Sequence, residues 1–451
     1  MTDDTICAPS TPPVHSAIAI IRISGPETIR AINSLFVSSA DLKPRYAHYG
    51  TLVHNGEPVD DVIIVYYPSP RSYTGEDMAE IFCHGNPIIM QKIIMVLNSL
   101  GVRMAEPGEF TRRAFLNGKV DLTEAEAINH IITAKSEWEI ETSLRQMHGS
   151  LRDAIGNIRA QIIELKADIE AGIDFSDEDI DSIPPEKMYQ AAMNIRGLIE
   201  DLQGRCKMGE QLSHGIDITI TGKPNVGKSS ILNLLLNQER AIVSSIPGTT
   251  RDIIREPFQI CGMHVNLVDT AGIGSPGDEI ERLGIELSHR KIESSPFIIM
   301  VLDAYEGLNE TDWIILEKTR NKKRIILVNK TDIAQPEDIS RIQREVKEES
   351  ITFSAITGAG LRELKEAISR RIRNEYIQIE NSFIADLRVI ALLDNAAAVI
   401  ARITVLVAER EPAEIIAFEL QALMDIFAEI TGEITPDEIL DSIFSRFCIG
   451  K

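Results

Sequence analysis

The chain has 451 residues, with 68 acidic and 46 basic side chains, a formal net charge of −22 and 44% hydrophobic residues. That length suggests about three domains, and the charge argues against a broad nonspecific nucleic-acid surface, which needs clustered Lys and Arg, while leaving room for a local basic patch. Unbroken apolar runs such as Phe297–Leu302 fall far short of the ~20 residues that cross a bilayer, and five scattered cysteines give neither a disulfide framework nor a C-x-x-C metal spacing.

Residues 1–118 mix short strands and helices. Ala17–Ile23 reads as a buried strand ending at Ser24-Gly25-Pro26, Asp61–Tyr67 as a β-branched strand, and Ile88–Leu100 as a helix, which together predict an α+β unit. From Leu122 the pattern turns helical, with Thr123 and Glu126 in capping-box spacing, and runs to about Ile173. The acidic run Asp174–Asp181 reads as a solvated loop before Pro184-Pro185, and helix resumes over Glu186–Gly209. From Gly215 the period changes. Ile216, Ile218 and Ile220 alternate as a strand, and apolar runs at Val265–Val268, Phe297–Leu302, Arg324–Val328 and Ile351–Phe353 alternate with helical segments, the signature of a parallel sheet wrapped by helices. Helical pattern returns over 387–408 and 413–430, and Thr435-Pro436 opens a last helix. The fold class expected is therefore multidomain α/β: an N-terminal α+β domain (1–118), a discontinuous all-α domain (119–212 and 375–451), and a parallel-sheet domain (213–374) inserted into it. With no basic-then-apolar leader pattern, a cytoplasmic location is expected.

The strand at Ile216–Ile220 runs into Gly222-Lys223-Pro224-Asn225-Val226-Gly227-Lys228-Ser229, followed by a helical run starting at Ser230. This is G-x-x-x-x-G-K-S in the strand–loop–helix setting the motif requires. Backbone N–H groups would wrap phosphates, Lys228 would reach the outer phosphates and the Ser229 hydroxyl would ligate Mg²⁺. Asp269-Thr270-Ala271-Gly272, Asn329-Lys330-Thr331-Asp332 and Ser354-Ala355 follow three later strands, and Ser244-Ser245-Ile246-Pro247-Gly248-Thr249-Thr250-Arg251-Asp252 lies between the first two motifs. In this order the set resembles the GTP-binding domain of translation-factor-like GTPases. The resemblance implies that Asp332 reads guanine, that Ser354 and Ala355 meet its oxygen, that Gly272 offers its N–H to the γ-phosphate, and that Thr250 is the second hydroxyl on Mg²⁺. The residue after the D-x-x-G motif is Ile273 rather than a water-orienting Gln. Either hydrolysis is slow or another group orients the water. No arginine finger is assignable from the sequence.

Adding Gly108-Glu109-Phe110-Thr111-Arg112-Arg113-Ala114-Phe115-Leu116-Asn117-Gly118-Lys119 and Cys448-Ile449-Gly450-Lys451, the chain resembles the MnmE (TrmE) family of tRNA-modification GTPases along its whole length. The resemblance implies a K⁺ ion held by Asn225, Ser244, Ile246 and Thr249 in place of the finger, with Glu281 orienting water as a catalytic group. The residue-level alternative for Glu281 is an exposed helix carboxylate. It further implies a homodimer, a flavoprotein partner (MnmG, also called GidA) in a heterotetramer or larger complex, tRNA as the object of modification, and no membrane. The chemistry implied is conversion of carbon-5 of the wobble uridine to a carboxymethylaminomethyl or aminomethyl derivative, with a one-carbon unit from 5-formyl- or methylene-tetrahydrofolate. The N-terminal domain is similar to the folate-binding domain of aminomethyltransferases, which implies folate contacts from Arg22, Glu80, Lys119 and Lys451, and a catalytic role for Cys448. The alternative for Arg22 and Glu80, the less favoured of the two, is a structural ion pair. A regulatory or ribosome-assembly GTPase that binds RNA without folate chemistry, and a folate-dependent aminomethyltransferase with a vestigial GTP-binding domain, are the rival readings.

Overall fold

A computed structural model describes residues 4–39, 41–174, 183–239, 255–260, 262–269, 297–375 and 381–451. It divides into two compact units: Met1–Ile132 with Leu144–Glu200 and Ala391–Lys451, and Thr133–Ser143 with Asp201–Ile390.

The first unit opens with a seven-stranded sheet of order β3-β4-β5-β6-β2-β1-β7. Its strands are β1 (Ile6–Pro9), β2 (Ser16–Ser24), β3 (Phe36–Val37), β4 (Ala47–His54), β5 (Glu57–Tyr67), β6 (Met78–Gly85) and β7 (Arg103–Met104). Side chains alternate between the two faces of a strand. One face carries Ala19, Ile21, Ile23, Val62, Ile64, Ala79 and Ile81, buried with residues of α1 (Thr28–Leu35) and α2 (Pro87–Ser99). The register β4–β5–β6–β2 sets Tyr49, Ile63, Phe82 and Ile20 in one row on the other face, with Arg22 opposite Glu80 one step along. On that face Ile18, Tyr49 and Ile63 are exposed. Helix α2 starts where the sequence places it, with Pro87 in its first turn and the Asn86 side chain accepting from Ile88 N. Helix α3 (Glu109–Leu116) follows.

The long helix expected from Leu122 is three helices: α4 (Leu122–Thr133), α5 (Glu137–Met147) and α6 (Ser150–Asp174). The first starts earlier than the Thr123 box predicts. Asp121 is the cap: its Oδ1 accepts from Glu124 N at 2.8 Å while Glu124 Oε2 accepts from Asp121 N at 3.0 Å. A carboxylate two residues upstream of Thr123 takes the orphan amide first. A second box, Ser136 with Glu139, restarts the chain at α5. The acidic run expected as a loop lies, apart from the backbone of Asp174, outside the described residues.

Helix α7 (Pro185–Ser213) leads to the second unit, and α12 (Leu387–Glu409), α13 (Ala413–Thr431) and α14 (Asp437–Phe444) complete the chain. Leu151, Ile155, Ile158, Ile162, Leu165 and Ile169 make a buried stripe on α6, with α13 packed alongside. Helix α12 is long and apolar enough by length and composition to cross a membrane, although Asp394 and Arg402 keep it from being an unbroken apolar run. Its buried residues Leu393, Ala396, Ile400, Ile403 and Val407 recur at helical spacing, as on a helix packed by one face into a core.

In the second unit β8 (Ile216–Thr221), β9 (Arg255–Ile260), β10 (Met263–Asp269), β11 (Phe297–Asp303), β12 (Lys323–Asn329) and β13 (Ser350–Thr352) form a sheet of order β13-β12-β11-β8-β10-β9. Every neighbouring pair is parallel except β9–β10. Helices α8 (Lys228–Glu239), α9 (Glu310–Lys318), α10 (Pro336–Val346) and α11 (Leu361–Glu375) connect the strands. The five strands expected from apolar runs are present. Strand β9 was not foreseen: it holds Pro257, which only an edge strand tolerates well. The insertion closes at a clasp. Phe383 N donates to Arg205 O at 3.3 Å, the Arg205 guanidinium lies 4.3 Å from the Phe383 ring centroid, and a Cβ on Gly209 would collide with the Phe383 carbonyl.

Candidate functional site

Strand β8 ends at Thr221 and α8 begins at Lys228, so the intervening loop must reverse within six residues. Gly222, Asn225 and Gly227 do this with φ of 151°, 61° and 101°. Both glycines are also sterically required. A Cβ on Gly222 would lie 2.5 Å from Val301 O, and one on Gly227 would strike the Asn329 amide. Lys228, 8% exposed, folds over the loop and donates to Gly222 O and Lys223 O, both at 2.8 Å. Ser229 and Ser230 follow at the exposed start of α8, and Val226 is fully buried. Lys223 points away from the loop's mouth: its amine lies 3.0 Å from Gly307 O, 3.2 Å from Glu306 and 3.4 Å from the fully buried Asp312. Burial pushes the Asp312 carboxyl upward, opposed by the Asn309 N–H and by Lys223.

The neighbouring strand ends supply the other loops. Asn329, at the end of β12, is 2% exposed and bridges two of them: its Nδ2 donates to Val226 O at 2.8 Å and its Oδ1 accepts from Ala355 N at 3.0 Å. Ser354 Oγ donates to Asp332 Oδ1 at 2.6 Å, orienting an exposed carboxylate. Lys330 pairs with Asp303 at 2.6 Å. Burial alone would raise the Asp303 carboxyl, but Lys330 and the Glu306 and Tyr305 N–H groups outweigh it and hold it below the usual carboxylate range. These groups gather at the carboxyl ends of parallel strands, the place where open α/β sheets bind ligands. The glycine cradle, the lysine across it and the hydroxyl at the helix start fit a magnesium-bound nucleoside triphosphate.

Asp269 ends β10, paired in register with Ile220 of β8. Ser244, Ser245, Ile246, Pro247, Gly248, Thr249, Thr250, Thr270, Ala271, Gly272 and Glu281 lie outside the described residues. Of the K⁺ ligands expected, Asn225 alone is described, exposed on the loop.

Of the residues expected at folate, Arg22, Glu80 and Lys451 come together and Lys119 turns elsewhere. Arg22 gives Nε and Nη2 to Glu80 Oε1 at 3.2 and 2.9 Å, the ion pair that was the alternative reading, yet both side chains remain about 15% exposed. Arg22 Nη1 also donates to Gly450 O at 3.3 Å, and its guanidinium lies 5.3 Å from the Tyr73 ring. Burial, then the Arg22 charge, pulls the Lys451 amine below its ordinary value. Gly450 has φ 91°, and Cys448 carries an exposed thiol. Lys119 donates to Pro70 O at 3.1 Å.

The Gly108–Lys119 motif serves as the seat of this tail, a role the sequence reading did not find. Arg112 pairs with Asp441 at 3.0 Å, Phe115 packs on Phe444, and a Cβ on Gly108 would lie 2.5 Å from Phe444 O. Arg113, 3% exposed, is tied to Asp4, Glu76 and Glu109.

The family model described as GTP-binding protein TrmE N-terminus matches residues 5–119, and the MnmE helical domain model matches residues 122–448. The tRNA modification GTPase MnmE of Thermotoga maritima is 41% identical over 451 residues, covering 99% of this chain and 100% of its own. That of Aquifex aeolicus is 41% identical over 450 residues, with the same coverage. The chain belongs to the MnmE family. It is accordingly a GTP hydrolase. Among solved structures, the G domain of the Thermotoga maritima FeoB iron transporter is 26% identical, covering 35% of this chain and 98% of its own, at a TM-score of 0.27, a likeness too slight to carry weight beside the full-length MnmE relatives.

Proposed function

We propose that this chain is a potassium-stimulated GTPase that, with a flavoprotein partner of the MnmG kind, modifies carbon-5 of the wobble uridine of certain tRNAs using a tetrahydrofolate one-carbon unit. The observation that carries the nucleotide half is the convergence of Gly222–Ser229, Asn329 and Asp332 at adjacent strand ends, braced by Asn329. Asp332 would take the guanine N1–H and exocyclic amine, while Ser229 and Thr250 would hold Mg²⁺. Asn225, with Ser244, Ile246 and Thr249, would hold K⁺, which when bound supplies positive charge beside the transferring phosphoryl group. Lys228 would exchange its loop carbonyls for phosphate oxygens, and Glu281 would orient the attacking water.

The folate half is supported by Arg22, Glu80 and Lys451 around one half-open spot beside an exposed thiol. Glu80 offers acceptors to a pterin edge, and Arg22 and Lys451 offer charge to an anion. A homodimer is supported by Ile18, Tyr49 and Ile63, exposed on one face of the N-terminal sheet. A cytoplasmic setting and the division at 118, 212 and 374 belong to the same proposal.

The test is GTP turnover in KCl against NaCl, for wild type, Asn225→Ala and Glu281→Ala, alongside calorimetry with 5-formyl-tetrahydrofolate. We expect turnover to depend on K⁺ and on both residues, and folate binding to weaken in Arg22→Ala. Equal turnover in the two salts would remove the potassium mechanism. Absence of folate binding would favour an RNA-binding GTPase without one-carbon chemistry.

A further inference from the structure

We propose that residues 133–143 are a positioning strap for GTP hydrolysis, in which Trp138 pins the β9–β10 hairpin and so fixes the strand that delivers Asp269. The segment is helical in sequence and is flanked on both sides by helices of the first unit, yet it packs as part of the sheet unit. Several of its contacts fall on one hairpin. Trp138 N donates to Gly262 O at 3.0 Å, at the hairpin's tip. The Trp138 side chain is 8% exposed and joins the apolar core that contains Ile260 of β9 and Val265 of β10. Gln259 Nε2 donates to Lys135 O at 2.6 Å. Gly262 has φ 78°, and a Cβ there would lie 3.2 Å from Glu137 Oε2.

The strap is itself stiff where it grips. Glu139, 6% exposed, receives Lys135 N at 2.8 Å and Ser136 Oγ at 3.1 Å, and Ser136 Oγ in turn accepts from Glu139 N at 3.2 Å. This capping box fixes the first turn of α5, which carries Trp138.

The hairpin's place in the chain gives the grip its meaning. Strand β9 begins three residues after Arg251-Asp252, the end of the P-G-T-T-R-D motif, and β10 ends at Asp269, the start of D-T-A-G. The two motifs that would embrace the γ-phosphate therefore both leave from the open end of one antiparallel pair, where Arg255 lies opposite Val268. Strand β10 is hydrogen-bonded to β9 on one side and to β8 on the other, from Val265↔Ile216 to Asp269↔Ile220. A strand laddered on both sides cannot slip by a fraction of a residue without breaking register. A constraint applied at Gly262 is thus carried to Asp269, about 20 Å away at ~3.3 Å per residue. Trp138 sits in the apolar core and acts through the strand.

The test measures kcat, KM and GDP affinity of the full chain for Trp138→Ala, Trp138→Phe and Gln259→Ala, with circular dichroism as the check of folding. Trp138→Ala should lower kcat about tenfold or more, since a misplacement of ~1 Å near the chemistry can cost 10²-fold, with GDP affinity unchanged. Gln259→Ala should lower kcat in the same direction, and Trp138→Phe should restore most of it. The chain has two tryptophans, so in Trp313→Phe the emission of Trp138 alone is read. It should differ between the GDP complex and a complex with a non-hydrolysable GTP analogue and Mg²⁺. Wild-type kcat in a folded Trp138→Ala, or kcat and GDP affinity falling together, would overturn the strap. If Trp138→Ala does not fold, Gln259→Ala and the emission comparison decide: unchanged kcat together with identical emission in the two nucleotide states overturns it.

Discussion

Asn329→Ala offers the sharpest test of how the nucleotide loops are held together. Its side chain spans from Val226 O to Ala355 N, so a single truncation removes the link between the phosphate loop and the loop after β13. Two hydrogen bonds at a net of about 1 kcal/mol each are lost, and with the site 2% exposed at least one of the two backbone groups is left without a partner, adding about 1 kcal/mol or more. The sum is about 3 kcal/mol. At roughly 2–4 °C per kcal/mol for a unit of this size, the sheet unit should melt about 6–12 °C lower. If half of that loss falls on the geometry that grips the nucleotide, GDP should bind about tenfold more weakly, since about 1.4 kcal/mol is a factor of ten. Asn329→Asp separates the two bonds: it keeps an acceptor for Ala355 N but sets an oxygen against Val226 O, and should cost at least as much. The assays are thermal melting and titration with a fluorescent GDP. A loss below about 0.5 kcal/mol, the range of ordinary surface substitutions, with unchanged GDP affinity would show that the bridge braces nothing.

Lys223→Met should destabilise the sheet unit by about 3 kcal/mol, because it strands the buried Asp312 carboxylate; denaturant unfolding checks this, and Lys223→Met with Asp312→Asn should recover part of the loss. At the start of α3, burial works to raise the Glu109 carboxyl, but Arg103, the Glu106 N–H and Arg113 hold it net below its ordinary value. With the folded pKa below the unfolded one, its contribution is present above the ordinary carboxylate range near ~4.3 and is lost as pH falls through the folded value. The melting gap between wild type and Glu109→Gln should therefore be widest at neutral pH and close in acid; a gap independent of pH would contradict it. Gly450→Ala places a methyl against the Pro9 carbonyl at φ 91°, so the amides of residues 448–451 should exchange faster with solvent, and unchanged exchange would show that the seat tolerates it.

The nucleotide loop was legible because its chemistry is local: glycine spacing, lysine and hydroxyl all lie within eight consecutive residues between a strand and a helix. Strands β11 and β12 announced themselves as continuous apolar runs, since central parallel strands are buried on both faces, and β8 by its alternating isoleucines; β10 and the edge strand β13 showed as short apolar runs. Edge strand β9, with Pro257, has no such pattern. The Arg22–Glu80 pair depends on the β2–β6 register, which aligns residues 58 apart, and no local signal reports it. The Arg113 knot draws Asp4 and Glu76 from two distant stretches to the helix that also carries Glu109, for the same reason. The strap had a signal that went unread. Ser136-Glu137-Trp138-Glu139 carries the S-x-x-E spacing of a helix start, and it marks the break between α4 and α5.

The clasp between Gly209 and Phe383 has a bearing on how such a chain could be assembled. An insert of well over a hundred residues whose first and last turns lie in contact asks almost nothing of its host, since the flanking helices need only a short connector to close without it. A nucleotide-binding cassette can then be acquired, exchanged or excised while the surrounding bundle keeps its own packing.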